Sequence, residues 1–265
     1  MPELPEVESV RRGLVAAKLA APVRSLWRSE FKLRIGKHWA SENLECLQGA
    51  MPGEVGRRGK YIVWQFRGAD EAALGLVIHL GMSGRCGVAM SSQPRVLHTH
   101  LALEFADGRE LRLVDPRRFG GLRAGPWDAI MAGPPIGELG PEPLEAGFSG
   151  EVLAARLGSS ARPIRDALLD QEAIAGLGNI YAVEALFLAG IHPQLEARRL
   201  HRSAWDRLAA AIVRVLRQGI ENGGTTLKDF RNVVGEVGRN QDDLKVYGRA
   251  GEACPRCGET LRGFV

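Results

Sequence analysis

The first residues of the chain, MPELPEVE, place a proline directly behind the initiator methionine and surround it with glutamates. Removal of Met1 would leave Pro2 as a free secondary amine, and an α-amino group titrates near ~8, so part of it is nucleophilic at neutral pH. Its attack on a sugar aldehyde carbon would give an iminium ion, and Glu3 and Glu6 could supply the proton transfers that follow. Taken alone, this stretch is better explained as a ragged terminus.

A second candidate site is GLGN at 176–179, which enters an apolar run. Two glycines allow the backbone to approach a ligand closely, and free N–H groups at a helix N-terminus suit a phosphate oxygen. Asn179 would add a side-chain donor. An ordinary helix–turn–helix with a glycine turn explains these four residues equally well.

Two glycine-bounded turns, HLGMSG (79–84) and DPRRFG (115–120), follow predicted strands. Met82 and Phe119 are most simply core residues. Beside Arg117 and Arg118 they also form a candidate wedge for a nucleic-acid duplex, in which apolar side chains enter a base step and arginines occupy the space of a displaced base.

Lys60 lies in GRRGKYIVW, behind two arginines and at the start of a predicted strand. A solvated basic turn is the default interpretation, and a phosphate contact is the sharper one.

Cys254 and Cys257 form a CxxC motif followed by glycine, which is half of a zinc knuckle. Structural zinc takes four ligands, and the chain ends at Val265 without a second CxxC. Cys46 and Cys86 stand alone, and we expect both to be buried, reduced thiols.

Composition restricts the class of protein. The chain has 265 residues, 45% of them hydrophobic, with a formal charge of +4 and a pI near 9.0. This is enough apolar content for a packed core, and the small basic excess is compatible with a nucleic-acid partner without establishing one. No run approaches the ~18 apolar residues of a membrane span, and the opening lacks the pattern of a signal peptide, so we expect a cytoplasmic protein.

The chain divides into two halves by hydrophobic period. A helix is predicted from Pro5 to about Leu19, and short runs of β-branched and aromatic residues follow it, at 61–66, 74–80, 100–105 and 110–114. The last two runs are joined by a hairpin signal at Ala106-Asp107-Gly108. This half therefore predicts an antiparallel sandwich or flattened barrel.

Prolines and glycines crowd into 132–143, which we interpret as a linker. Helical period dominates afterwards. Apolar helical stretches are predicted at about 163–170 and 180–189, and a longer helix follows Ser203 as its N-cap. Its buried face is expected to carry Trp205, Leu208, Ile212 and Leu216.

Together these pieces resemble the formamidopyrimidine-DNA glycosylase family, bacterial repair enzymes that remove oxidised purines such as 8-oxoguanine. The resemblance runs from residue 1 to about 262, because MPELPEVE, GRRGKY, HLGMSG, DPRRFG, LGPEPL, GLGNIYAVEALFLAGIHP, GGTTLKDF and CPRCG occur in the family's order. Any one piece is weak evidence, and the ordered set is specific.

The resemblance implies a role for each matching residue. Pro2 would attack C1′ of the damaged nucleotide, Glu3 would protonate the deoxyribose, and Lys60 would contact phosphate and assist catalysis. The remaining residues would bind DNA: Met82, Arg117 and Phe119 would fill the gap left by the flipped base, and His79, His98, Asn179 and Tyr247 would bind the backbone.

The implied fold is α+β. An N-terminal antiparallel β-sandwich with an N-terminal helix (1–131) and a linker (132–150) would precede a helix–two-turn–helix DNA-binding domain (151–235). The end of a lesion-covering loop and a zinc-finger β-hairpin (236–265) would follow, with one Zn²⁺ implied. The implied partner is double-stranded DNA with oxidised bases or abasic sites, bound by a monomer.

This chain departs from the family's pattern at three places. A second CxxC and the hairpin arginine that would contact DNA are absent from the sequence as given. Ser159-Ser160-Ala161 replace a family lysine, a change for which Arg162 would compensate. The segment 231–245 lacks the aromatic residue expected of the lesion loop.

Two other functions stay open at this level. An enzyme similar to endonuclease VIII would prefer oxidised pyrimidines, and Leu4 argues against it because that branch usually has glycine there. A non-catalytic lesion binder would suit a half zinc site. The intact set of Pro2, Glu3 and Lys60 argues for catalysis.

Overall fold

The computed structural model describes residues 1–31, 33, 43–226, 233 and 235–263. The chain forms two compact units, Met1–Glu138 with Gly223–Gly238, and Leu139–Asn222 with Arg239–Val265. Two antiparallel sheets and an N-terminal helix make up most of the first unit, and helices dominate the second. This confirms the α+β class that the sequence predicted.

Among its described residues, the first unit contains two four-stranded sheets. Its strands are β1 (Val23–Arg28), β2 (Met51–Arg58), β3 (Tyr61–Arg67), β4 (Ala73–His79), β5 (Arg85–Met90), β6 (Thr99–Phe105), β7 (Arg109–Val114) and β8 (Gly121–Pro126). The spatial orders are β1-β6-β7-β5 and β2-β3-β4-β8, and every pairing is antiparallel. All four strand runs predicted from the sequence coincide with strands, and Gly108 (φ +82°) closes the predicted β6–β7 hairpin.

Aromatic residues from the two sheets meet in the core of this unit. The Trp64 ring lies 5.1 Å from that of Phe66 and 6.2 Å from that of Phe105, and all three are almost completely buried. Trp64 also donates its indole N–H to the Gly53 carbonyl, which satisfies its one polar group.

Of the six α-helices in the described residues, four lie near predicted positions, whereas those at Trp127–Ala132 and Gly150–Leu157 were not predicted. The six are α1 (Leu4–Ala17), α2 (Trp127–Ala132), α3 (Gly150–Leu157), α4 (Ile164–Leu168), α5 (Asn179–Ala189) and α6 (Arg202–Glu221). Pro5 lies in the first turn of α1, where its missing N–H costs nothing, and Val7, Val10 and Leu14 pack into the core. In the described residues no helix is long and apolar enough to cross a membrane.

Helix α6 buries the predicted face of Trp205, Leu208, Ile212 and Leu216. The predicted N-cap at Ser203 is wrong. His201 occupies the N-cap because its carbonyl accepts the Ala204 N–H (2.9 Å), so that the helix begins at Arg202.

Cys86 is buried as expected, and burial raises the pKa of its thiol to about 12. The same expectation for Cys46 is wrong, since its side chain is exposed. Cys46 lies in a 3-10 turn, Leu44–Leu47, in which the two leucines take the buried positions and leave Cys46 outside.

Residues 223–238 group with the first unit, whereas the sequence-based boundary placed 223–235 in the helical domain. The physical reason lies in two contacts within that unit. The Thr225 N–H donates to the Glu6 carboxylate, and a Cβ at Gly13 would meet the Val233 side chain at 2.8 Å, so that the two segments run in close contact.

Candidate functional site

Pro2, Glu3, Glu6 and Lys60 are all buried in the first unit. Pro2 and Glu3 precede the first turn of α1, and Lys60 lies in the turn between β2 and β3. Met1 remains 53% exposed beside them. The fold thus brings the residues predicted to be catalytic into one unit. A disordered terminus would leave Pro2 exposed to solvent, whereas Pro2 is buried.

Glu6 fixes the terminus through both carboxylate oxygens. Oε2 accepts the Glu3 N–H at 2.7 Å, and Oε1 accepts the Thr225 N–H at 2.6 Å. Gly224 (φ +89°) allows this approach, because a Cβ there would lie 3.0 Å from the Glu6 side chain. These two hydrogen bonds hold Glu6 in place, and its role in proton transfer stays a prediction.

Burial lowers the pKa of Lys60, and the carboxylates of Glu3 and Glu6 oppose this effect. The three groups therefore interact electrostatically in a buried cluster, where charge interactions are stronger than in water. A cluster of this kind can hold a cation against a phosphate and move a proton through Glu3.

The buried carboxylate of Asp115 joins the two glycine-bounded turns of the first unit, residues 79–84 and 115–120. Oδ1 accepts the Ser83 hydroxyl (2.5 Å) and the Arg117 N–H (3.2 Å), and Oδ2 accepts the Gly120 N–H (2.6 Å). Asp115 is fully buried. One side chain thereby holds the loop that carries Met82 and the loop that carries Phe119.

The turns also require glycine at a point of close approach. A Cβ on Gly81 (φ +61°) would collide with the carbonyl group of Phe119. The result is a paired display in which Met82 is 44% exposed and the Arg117 guanidinium lies 5.1 Å from the centre of the Phe119 ring. The exposed fraction of Met82 rules out the core interpretation for that residue.

His79 is the last residue of β4 and lies near the charges of Lys60 and Asp115. Its Nδ1 accepts the Gly81 N–H at 3.2 Å, which assigns the ring proton to Nε2. Burial and the nearby Lys60 lower the pKa of His79 to about 4, against the opposing charge of Asp115. His79 is therefore a neutral donor at physiological pH, and the Tyr61 ring packs 4.8 Å from it.

His98 is exposed, and its carbonyl accepts the Asp115 N–H at 2.9 Å. His100 was not singled out from the sequence. Its Nε2 donates to the Asp115 carbonyl (3.0 Å) and its Nδ1 accepts from the Ser29 hydroxyl (2.9 Å). No signal in the sequence indicated that His98 would be exposed and His100 buried, because residues two apart in a strand share a face. His98 instead lies just before β6, with φ +67°.

In the second unit, Gln171 holds the GLGN turn. Its Oε1 accepts the Gly176 N–H (2.9 Å), and its Nε2 donates to the Leu177 carbonyl (2.8 Å). Gly176 adopts φ +85°, and Gly178 is the N-cap of α5. Asn179 is exposed at the first position of that helix.

Glu184 places Tyr247 relative to the same helix. Its buried carboxylate accepts three backbone N–H groups, those of Lys245 (2.9 Å), Val246 (2.8 Å) and Tyr247 (2.8 Å). The sequence interpretation missed Glu184. A lone carboxylate in the apolar helix NIYAVEALFLA was the available signal, because a buried charge requires partners.

Arg162 is exposed and held locally. Its Nη2 donates to the Asp166 carbonyl (2.9 Å), and its Nη1 lies 3.5 Å from the Asp170 carboxylate. Residues 231, 232 and 234 of the expected lesion loop lie outside the described residues.

Cys254 and Cys257 lie in a hairpin of the second unit. The Arg256 N–H donates to the Cys254 Sγ at 3.4 Å, and this hydrogen bond lowers the pKa of the thiol. Within the described ranges, no group of three or more His, Cys, Asp or Glu side chains could hold a metal ion. The donors present fit half of a tetrahedral zinc site.

Comparison with known proteins covers nearly the whole chain. Residues 1–122 match the model of the formamidopyrimidine-DNA glycosylase N-terminal domain, and residues 139–231 match that of its H2TH domain. The chain is 42% identical over 264 residues to the formamidopyrimidine-DNA glycosylase of Shewanella loihica, covering 98% of this chain and 93% of that protein. It is 40% identical to that of Moorella thermoacetica, with the same coverage of 98% and 93%.

Two solved structures are similar as well. The MutM (Fpg) protein from Thermus thermophilus has a TM-score of 0.87 and 38% identity, over 100% of this chain and 94% of that one. A Lactococcus lactis Fpg mutant in complex with a Fapy-dG containing DNA has a TM-score of 0.88 and 33% identity, over 99% and 94%.

Asp115→Asn should lower the free energy of unfolding by about 2–4 kcal/mol, because an amide cannot accept every donor that the buried carboxylate satisfies. Urea denaturation measures the change. Asp128→Asn, an exposed aspartate of α2, is the matched control and should change stability by less than about 0.5 kcal/mol. Equal stabilities of the two variants would show that Asp115 does not hold the turns.

The low pKa of His79 predicts a pH-dependent stability. The unfolded state takes up a proton on this ring below about pH 6.5, and the folded state does so only near about 4, so stability falls as pH falls between these values. From pH 7 to pH 5 the wild type should lose about 1–2 kcal/mol more than His79→Asn, which keeps an acceptor for the Gly81 N–H. Urea denaturation of both proteins at pH 7 and pH 5 measures this difference. An equal loss of unfolding free energy in the two proteins would contradict the prediction.

Proposed function

The chain belongs to the formamidopyrimidine-DNA glycosylase family, and from this premise we propose that it excises oxidised purines from duplex DNA and then cleaves the strand at the abasic site. The observation that carries the proposal is the buried set of Pro2, Glu3 and Lys60, in which Glu6 accepts the backbone N–H of Glu3. A DNA-binding protein without catalysis has no need of a terminal amine held in this way.

The proposed reaction uses Pro2 after Met1 has been removed. The nitrogen lone pair attacks C1′, the glycosidic bond breaks, and the base leaves with the bonding electron pair and a proton. Glu3 protonates the ring oxygen as the sugar opens, which gives an iminium ion between Pro2 and C1′. Lys60, the cation of the cluster, faces phosphate.

The iminium ion then drives strand cleavage. It withdraws electrons from C1′ and so acidifies the C2′ proton; loss of that proton expels the 3′ phosphate by β-elimination. Loss of the C4′ proton then breaks the C5′–O bond in a δ-elimination, which expels the 5′ phosphate and leaves phosphates on both ends of the gap. Glycosylase and abasic-site lyase activities thereby share one nucleophile.

The DNA contacts follow from the display of side chains in each unit. In the first unit, Met82, Arg117 and Phe119 would fill the gap of the flipped base, with the neutral His79 and the exposed His98 on the backbone. In the second unit, Asn179, Tyr247 and Arg162 would bind phosphates as a monomer docks on the duplex. The exposure of Met82 and Asn179 supports these roles.

Zinc is the cofactor implied by the family, and it would be held by Cys254 and Cys257. Bound there, it would cross-link the hairpin. The described residues provide half of the ligands, so no step of the reaction is assigned to it.

Borohydride should trap a covalent complex between the processed chain and DNA that contains 8-oxoguanine, because it reduces the iminium ion to a stable amine. Pro2→Gly, or retention of Met1, should reduce the trapped fraction by about a hundredfold or more. Glu3→Gln should retain trapping at a preformed abasic site and lose base excision by about a hundredfold. Intact mass of the adduct measures both.

Pro22→Gly, a proline outside the cluster, is the control for the glycine substitution and should trap like the wild type. If the protein that retains Met1 were trapped as efficiently as the processed wild type, the assignment of Pro2 as the nucleophile would be wrong.

The chain of 265 residues should hold less than one tightly bound zinc, since two thiolates bind the metal far more weakly than four. Elemental analysis after dialysis measures the ratio. A stoichiometric value that persists through dialysis would contradict the half-site interpretation.

A further inference from the structure

The two cysteines lie at the turn of a short hairpin, residues 251–261, that has its own hydrogen bonds. The Gly251 N–H donates to the Leu261 carbonyl (2.9 Å), the Leu261 N–H to the Glu252 carbonyl (2.8 Å), and the Cys254 N–H to the Glu259 carbonyl (2.7 Å). These bonds shape the hairpin, but they do not attach it to the rest of its unit.

Arg256, between the two cysteines, makes that attachment. Its Nη2 donates to the carbonyls of Phe187 (2.8 Å) and Leu188 (3.3 Å), in the last turn of α5. Its guanidinium carbon also lies 4.7 Å from the centre of the Phe187 ring. Neither of these side-chain contacts involves a sulfur atom, and the Cys254 Sγ accepts only the backbone N–H of Arg256 among the hydrogen bonds of that residue.

The C-terminus of α5 is a suitable receptor for this cation. The helix ends at Gly190, which adopts the left-handed conformation (φ +69°) and whose N–H donates to the Phe187 carbonyl at 3.1 Å. A carbonyl oxygen has a second lone pair, and the carbonyls of a helix's last turn carry partial negative charge. A planar guanidinium can reach two such carbonyls and stack on an aromatic ring at the same time. A lysine at this position would supply the charge without the stacking plane.

The stem of the hairpin is bound to the same helix. Glu184, about one turn before Phe187, accepts the N–H groups of residues 245–247, which lead into the hairpin. Two attachments about one helical turn apart fix both position and direction, whereas a single one would allow rotation. A cavity of about 1010 Å³ lined by Asn179, Tyr247 and Arg256 lies along this helix.

We propose that Arg256 is a positioning residue that holds the Cys254–Cys257 hairpin on α5 without a metal ion. Two thiolates supply half of a tetrahedral site, whereas the contacts of Arg256 with α5 use no ligand atom of that site. The hairpin is then in place beside Asn179 and Tyr247 whether or not a metal is bound.

Amide hydrogen exchange of the hairpin tests this directly. In wild-type protein dialysed against EDTA, the amides of Cys254, Gly258 and Leu261 should exchange within about twofold of their rates with added zinc. Arg256→Gln should accelerate them by about tenfold or more in the metal-free protein, and Arg256→Lys should fall between. Arg198→Gln, an exposed arginine paired with Glu196 in the same unit, is the control and should match the wild type.

Two outcomes would overturn the proposal. One is a loss of protection in the wild-type hairpin, by about tenfold or more, when the metal is removed. The other is unchanged exchange in metal-free Arg256→Gln.

A second test measures the steady-state kinetics of the Arg256 variants, and this test rests on the proposed function. Metal-free Arg256→Gln should raise KM for lesion-containing DNA by about tenfold and leave kcat within about twofold, because Pro2 and Glu3 belong to the other unit. Partial recovery of KM by Arg256→Lys is expected, and a fall in kcat with unchanged KM would contradict a positioning role. Failure of borohydride trapping would refute the proposed function and leave the exchange result intact.

Discussion

The buried carboxylate of Glu6 is the constraint on which the candidate chemistry depends. A chain terminus normally frays, because few contacts hold it. Here one oxygen accepts the Glu3 N–H and the other accepts the Thr225 N–H, from a segment more than two hundred residues later in the chain. Pro2 is buried as a consequence, and Lys60 lies close enough to Glu3 and Glu6 to interact with their charges.

The same device recurs at the two other candidate regions. Asp115 joins the Met82 and Phe119 turns, and Glu184 binds the backbone that leads to Tyr247. A buried carboxylate that accepts backbone N–H groups is a strong, charge-assisted tie that leaves the neighbouring side chains free to point outward. Met82, Phe119 and Tyr247, which are proposed to contact DNA, therefore lie in loops that buried acidic residues hold.

Secondary structure was predicted correctly where it depends on residues that are close together in the sequence. The apolar period of α6 predicted its buried face, and the four β-rich runs all became strands, because these signals need only neighbours along the chain. Signals that depend on one backbone group were less reliable. Ser203 was expected to cap α6 although His201 does so, and Cys46 was expected to be buried although the two leucines of its 3-10 turn take the inner positions.

By itself, the sequence determined the family, the α+β class and the motifs that carry Pro2, Lys60, Met82 and Asn179, because motif order and residue type survive in one dimension. Tertiary structure alone decided which residues hold those motifs together. Glu6 meets Thr225, Asp115 meets Ser83, and Arg256 meets the end of α5. Such pairs have no fixed spacing along the chain. They form where the fold brings a buried charge, or a carbonyl at the end of a helix, next to a suitable partner.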